Sequence, residues 1–274
     1  MSACERCSGS GFEIVEKDGR EFARRCSCRS RRAQGAHDFA RDCRIPPRYQ
    51  ECSLAGFDAA HAPLRAAREV CLQYCNGYPH LGTTEEGLGL LFVGTSGVGK
   101  THLAVSVLRE LYERKGVHGQ FWDFRDLMRE IKRSFDPETR TTEFRVLDPV
   151  VQADVLLLDD LGSARFTEWM SDTLFYVLNT RYIEKLPTLV TTNYLDLDPE
   201  TIVKDERAAR TGEGSFEELK HVPYLRFDQY LVERIGVPLR SRLMQMCHVV
   251  TIKAPDHRAA HQASTLEAIR RSAR

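Results

Sequence analysis

Residues Gly94, Thr95, Ser96, Gly97, Val98, Gly99, Lys100 and Thr101 fill the pattern G-x-x-x-x-G-K-[ST], the spacing of a loop that cradles phosphate. Glycine lets the backbone reach positive φ and approach an anion closely, so that successive N–H groups point inward. Lys100 then sets an ammonium between β- and γ-phosphates, and Thr101 offers its hydroxyl to Mg²⁺.

Three further stretches carry chemistry of the same kind. VLLLDDLG, from Val155 to Gly162, is an apolar run that ends in two carboxylates. Asp159 is read as the ligand on the Mg²⁺ side, directly or through water, and Asp160 as the carboxylate that orients or activates the attacking water. Alone, the pair would serve equally well as helix caps. TLVTTNY, from Thr188 to Tyr194, delivers an amide, Asn193, which can hold the hydrolytic water or feel the γ-phosphate. PLRSRLMQMC places Arg240 and Arg242 on a late helix. A guanidinium that reaches transferring phosphate from a neighbouring subunit contributes ~10³ to 10⁵ in rate.

The elements that must position these residues are legible around them. Leu90-Leu91-Phe92-Val93 precedes the glycine loop, and Ala104, Val107, Leu108 and Leu111 follow it at helical spacing, giving strand, loop and helix in the required order. Strands are predicted over 118–124, 155–159 and 188–192, and helices over 126–135 and 167–184, with an amphipathic segment over 59–74. Strands alternating with helices imply a doubly wound parallel sheet that binds ligands at the carboxyl ends of its strands. Residues 201–224 are polar without a clear period and read as a loop or insertion. The helix RDLMREIKRSF combines Arg125, Arg129, Lys132 and Arg133 with Phe135, which suits single-stranded DNA through charge and stacking and suits a solvated face equally.

At 274 residues the chain accommodates one ample core and a small module. Its 39 basic and 39 acidic side chains balance, which excludes a globally basic nucleic-acid binder but not local patches. Eight arginines between Arg24 and Arg48 face only Asp38 and Asp42. No apolar stretch approaches the ~20 residues that span a bilayer, and the amino terminus is not signal-like, so a cytoplasmic location is expected.

In a reducing compartment the nine cysteines are not expected to form disulfides. Cys4, Cys7, Cys26 and Cys28 form C-x2-C-x18-C-x-C, close to the two knuckles of a zinc ribbon, although the closing pair has one intervening residue where two are usual. Cys43 could replace Cys28. A Zn²⁺ would staple a segment too short to bury its own core. Cys71, Cys75 and Cys247 read as core residues. The division expected is a cysteine-rich module over 1–44, an α/β domain over 45–255 entered through Ile45-Pro46-Pro47-Arg48-Tyr49, and a basic tail over 256–274.

The four nucleotide motifs in this order resemble the AAA+ ATPases of the DnaC and IstB group over roughly residues 45–255. The cysteine arm ahead of IPPRY looks like the amino-terminal extension of bacterial DnaC-like helicase loaders. The resemblance implies a P-loop NTPase fold and Mg²⁺-dependent ATP hydrolysis, with Arg242 as arginine finger and Arg240 as runner-up. Asp160 stands where many members carry glutamate, and a carboxylate set back by one methylene implies slow turnover. The residues after Arg242 are too few for a typical helical lid, so a reduced or absent lid is expected and no second sensor arginine is assigned. The partners implied are a DnaB-type replicative helicase, single-stranded DNA and other copies of the chain assembling on ATP or DNA. An IstB-type transposition helper is the alternative. A nucleotide-kinase-like phosphotransferase and a non-enzymatic zinc-ribbon binder fit the motifs less well.

Overall fold

In a computed structural model, residues 12–17, 20–25, 36–79, 89–134, 143–196 and 230–257 are described. Phe12–Lys17 (β1) and Arg20–Arg25 (β2) form an antiparallel hairpin that pairs Phe12 with Arg25. Cys4, Cys7, Cys26 and Cys28 lie outside the described residues, as do Phe135, residues 201–224 and all but the start of the basic tail. Helix Ala36–Asp42 (α1) and a 3-10 turn over Pro47–Tyr49 lead to helix Ala62–Gly77 (α2).

The α/β domain then runs β3 (Gly89–Val93), α3 (Lys100–Lys115), β4 (Gly119–Asp123), α4 (Phe124–Ser134), α5 (Glu143–Gln152), β5 (Val155–Asp159), α6 (Glu168–Ile183) and β6 (Thr188–Thr192). After the undescribed stretch come α7 (Leu231–Ile235), α8 (Val237–Met246) and β7 (Cys247–Thr251). The five strands from β3 onward form one sheet in the order β4-β5-β6-β3-β7, every pair parallel. Almost every residue of β3, β4, β5 and β6 is buried, which explains their continuous apolar runs: a parallel sheet is covered on both faces.

Side chains alternate between two cores. Leu90, Phe92, Leu157 and Leu189 face α1, α2 and α3. Leu91, Val93, Leu158 and Val190 face the layer of α4 to α8. The order in which strands and helices were expected is the order found, with Thr167 capping α6 by accepting from Met170 N at 3.3 Å. The β1–β2 hairpin, helices α1, α5 and α7, and strand β7 are additions to the expected elements.

The domain reaches further toward the amino terminus than the expected boundary at residue 44. Phe39 and Cys43 are fully buried in the first core, Phe121 N donates to Cys43 O at 2.8 Å, and Tyr112 Oη donates to Asp42 Oδ2 at 2.9 Å. Residues from α1 onward therefore pack with the sheet. Cys43, weighed as a replacement for Cys28, serves here as a core side chain whose thiol is pushed up to about 12 by burial. Cys71, Cys75 and Cys247 are buried too. Among the described residues, no helix is long and apolar enough to cross a membrane.

Candidate active site

Three strand ends converge at the carboxyl edge of the sheet. β3 ends at Val93 and passes into the glycine loop, β5 ends at Asp159 and β6 at Thr192. Because β6 lies between β5 and β3, the residue that follows it, Asn193, falls between the carboxylates and the loop.

The loop needs glycine at two positions in particular. Gly97 and Gly99 have φ of 81° and 96°, values that cost little only without a Cβ. A Cβ on Gly99 would also stand 2.7 Å from the Phe57 ring. Lys100 opens α3 and is buried, with Nζ donating to Gly94 O at 2.8 Å, Thr95 O at 2.7 Å and Asn193 Oδ1 at 2.7 Å. A buried ammonium is stable only when its donors are met. Here the strands and the loop place three acceptors around it.

Asp159 is buried and accepts at Oδ1 from Thr101 Oγ1 (2.8 Å) and Thr191 Oγ1 (2.6 Å). Burial raises its pKa above the ordinary carboxylate range, and the two hydroxyl bonds oppose that rise. Asp160 takes left-handed backbone with φ 58°, uncommon for a residue other than glycine and tolerated best by Asp and Asn. Its N–H donates to Thr191 Oγ1 at 2.9 Å, and its Oδ1 accepts from Asn193 Nδ2 at 2.6 Å. Asn193 thus bridges Lys100 and Asp160 with its two amide ends.

These side chains border a cavity of about 810 Å³, whose walls also include Arg48, Tyr49, Phe57, Asp58 and Asp256. That volume suits a nucleotide-sized ligand. Five aspartates border it, at 58, 123, 159, 160 and 256. Polyphosphate beside so many carboxylates requires a bridging cation, and Thr101 with Asp159 is the donor pair that a hard, oxygen-seeking Mg²⁺ takes. The residues present therefore fit both ATP and Mg²⁺.

The structure brings Gly94 to Thr101, Asp159, Asp160 and Asn193 together. It does not bring Arg240 or Arg242 to this cavity. Arg240 is paired with Asp196 at 2.6 and 3.3 Å. Arg242 lies 4.3 Å over the Tyr182 ring and donates to Gln245 Oε1 at 3.0 Å. On α4, Arg125 is bound to Ser163, while Arg129 and Arg133 pair with Asp126 and Glu130.

Two contributors to the site lie outside the motifs. Thr191 touches both aspartates, and the signal was present, since TTN closes an apolar strand with three polar residues. The segment over 53–61 left no such signal. It is held by packing: Phe57 lies edge-on to His102 at 5.2 Å, and His102 Nε2 is 3.1 Å from Ser53 O.

A parallel sheet with a glycine loop at the end of β3, paired aspartates at the end of β5 and a polar amide after β6 defines a P-loop ATPase of the AAA+ class. The chain matches the family model described as IstB-like ATP binding protein over residues 73–210, just over half its length, and belongs to that family. It is 27% identical over 219 residues to the phage-like element PBSX protein XkdC of Bacillus subtilis, covering 76% of this chain and 77% of XkdC. It is 32% identical over 112 residues to the replicative helicase loader DnaI of Bacillus subtilis, covering 40% of this chain and 35% of DnaI. Among solved structures, the DnaC helicase loader superposes with a TM-score of 0.56 at 29% identity, covering 76% of this chain and 100% of that one. The protein is thus an ATP-binding AAA+ protein of the IstB-like family, similar in fold to the DnaC helicase loader.

Proposed function

We propose that this chain is a helicase loader: an Mg²⁺-dependent ATPase that couples its nucleotide state to single-stranded DNA and to a DnaB-type replicative helicase. The observation that carries this reading is the likeness to the DnaC helicase loader over the whole of that chain, joined to an intact nucleotide site. Bound Mg²⁺ would supply charge neutralisation to the phosphates. Thr101 and Asp159 would hold it, and Lys100 and the loop N–H groups would hold the phosphates. Asp160 orients the attacking water, and Asn193 reports the γ-phosphate because its amide spans Lys100 and Asp160. Arg242 acts across subunits, since it lies outside its own chain's cavity.

The amino-terminal arm serves as the helicase-docking module, with Cys4, Cys7, Cys26 and Cys28 holding Zn²⁺. The hairpin supports this grouping. Phe12 pairs with Arg25, so the two cysteine pairs adjoin the same open end of the hairpin in sequence.

The test is co-purification with the cell's replicative helicase, with a transposase as control. Retention of the helicase, lost in Cys4→Ser, Cys7→Ser while ATP binding persists, is the expected result. Retention of the transposase alone would move the assignment to an IstB-type transposition helper. A metal-free protein purified under reducing conditions would overturn the zinc site.

A further inference from the structure

The turn that carries Asp160 is held from a direction that the nucleotide motifs do not explain. Asp160 and Gly162 both take positive φ, 58° and 90°, and Ser163 N closes the turn on Asp160 O at 3.2 Å. On the sheet side the turn is pinned to β6. Leu161 N donates to Thr191 O at 2.8 Å, and Thr192 Oγ1 donates to Leu161 O at 2.8 Å.

On the other side stands Arg234 of α7. Its Nε and Nη2 donate to Gly162 O at 3.0 and 2.9 Å, and Nη2 reaches Ala164 O at 3.4 Å. The central carbon of the same guanidinium lies 4.9 Å from the centroid of the Tyr194 ring, over it, and Tyr194 is the residue after Asn193. A Cβ added to Gly162 would meet Tyr194 Cδ2 at 2.8 Å and Arg234 Cβ at 3.5 Å, so the three residues are in mutual contact. Helix α7 is itself anchored to the chain beyond β6, with Leu231 N donating to Leu195 O at 2.9 Å.

Arginine is the side chain this arrangement demands, because its fork of donors reaches two carbonyls while its cation lies over an aromatic ring. The fork fixes the turn after Asp160, and the cation fixes the residue after Asn193. The two residues so flanked are bonded to each other at 2.6 Å. Arg125 holds Ser163 from α4 with two bonds of 2.9 Å, but from an exposed position where water competes. Arg234 is half-buried and makes no wall of the cavity.

Building on the roles given above to Asp160 and Asn193, we infer that Arg234 is a positioning residue of the ATPase. It sets the separation of the Asp160 carboxylate and the Asn193 amide without touching the nucleotide. A shift of about 1 Å in such a pair is worth up to ~10²-fold in rate. Removing the fork therefore lowers kcat and leaves binding alone.

The experiment compares full-length parent, Arg234→Met, Arg234→Lys and Asp160→Asn by steady-state ATP hydrolysis and by titration with a fluorescent ATP analogue. Arg234→Met keeps an apolar stem on Tyr194 and loses every donor. The expected result is a fall in kcat of about tenfold or more with Kd and KM within about threefold of the parent, and partial recovery in Arg234→Lys. A kcat within about twofold of the parent in Arg234→Met, with Asp160→Asn inactive, overturns the inference alone. So does a loss of nucleotide affinity as large as the loss of kcat. Parental turnover in Asp160→Asn overturns the reading of Asp160 and this inference with it. Should Arg234→Met fail to fold, Arg234→Gln, which keeps one donor for Gly162 O, decides on the same criteria.

Discussion

Asp159 carries a conflict between stability and function that a single substitution exposes. Burial raises its pKa, so the folded state holds its proton to higher pH than the unfolded chain does. Such a group favours folding fully below its unfolded pKa and loses that contribution as pH rises through the folded value. At neutral pH the ionised carboxylate is therefore a cost. Asp159→Asn keeps an oxygen able to accept from Thr101 and Thr191. It is expected to raise the thermal midpoint of the nucleotide-free protein at pH 7 to 8 and to abolish the gain from Mg²⁺ in ATP binding. Repeating the melts below the ordinary carboxylate range should shrink the stability difference, and a lower midpoint for the variant at neutral pH would contradict the argument. Two other residues separate binding from turnover. Lys100→Ala should eliminate ATP binding, because three acceptors and the phosphates lose their shared cation, whereas Asp160→Asn should bind ATP and fail to hydrolyse it. Equilibrium binding beside phosphate release distinguishes the two.

At the scale of elements, Arg181 shows what joins α5 and α6 to the start of the central strand β6. Its side chain, wholly buried on α6, donates to Thr188 Oγ1, to the carbonyls of Val150, Val151 and Ala153 around the end of α5, and to Pro187 O. Desolvation lowers its pKa to about 9, and the nearby Asp154 carboxylate opposes the fall. Lysine has three donors on a compact head and cannot meet all of these acceptors, so Arg181→Lys should lose about 1–3 kcal/mol in denaturant titration with ATP affinity unchanged. Nothing in the sequence singled out Arg181, because its partners are backbone carbonyls from two other segments. The same reason separates what was legible from what was not. The strands of the sheet centre announced themselves as apolar runs, and the loop, both aspartates and Asn193 lie directly at their ends. Strand β7 begins with Cys247-His248, a half-exposed edge pattern, and α5 contains Pro149, so neither gave a clean period. The wall formed by Phe57 and its neighbours depends on tertiary packing that no local pattern encodes.

At the scale of the whole molecule, Arg242 does not line the cavity of its own chain, and on the proposed reading it serves the site of a neighbouring copy. Arg242→Ala should bind ATP and fail to hydrolyse it, and mixing it with Lys100→Ala should restore part of the activity, since each supplies the half that the other lacks. Failure of such mixtures, with assembly verified by sedimentation, would place Arg242 outside the reaction. The sheet order bears on another matter, the birth of the protein on the ribosome. β3, which carries the phosphate loop, is made before either of its neighbours, β6 and β7. Its second edge is closed only when the last strand pairs Gly89 with Cys247 and Ile252 N donates to Val93 O. A nascent chain stalled before Cys247 would hold its most apolar strand with an open edge, the form of polypeptide most prone to pair with a stranger. Translation must therefore pass Ile252 before the protein can take up its nucleotide, and chains stopped short of Cys247 should yield aggregates rather than a weak ATPase.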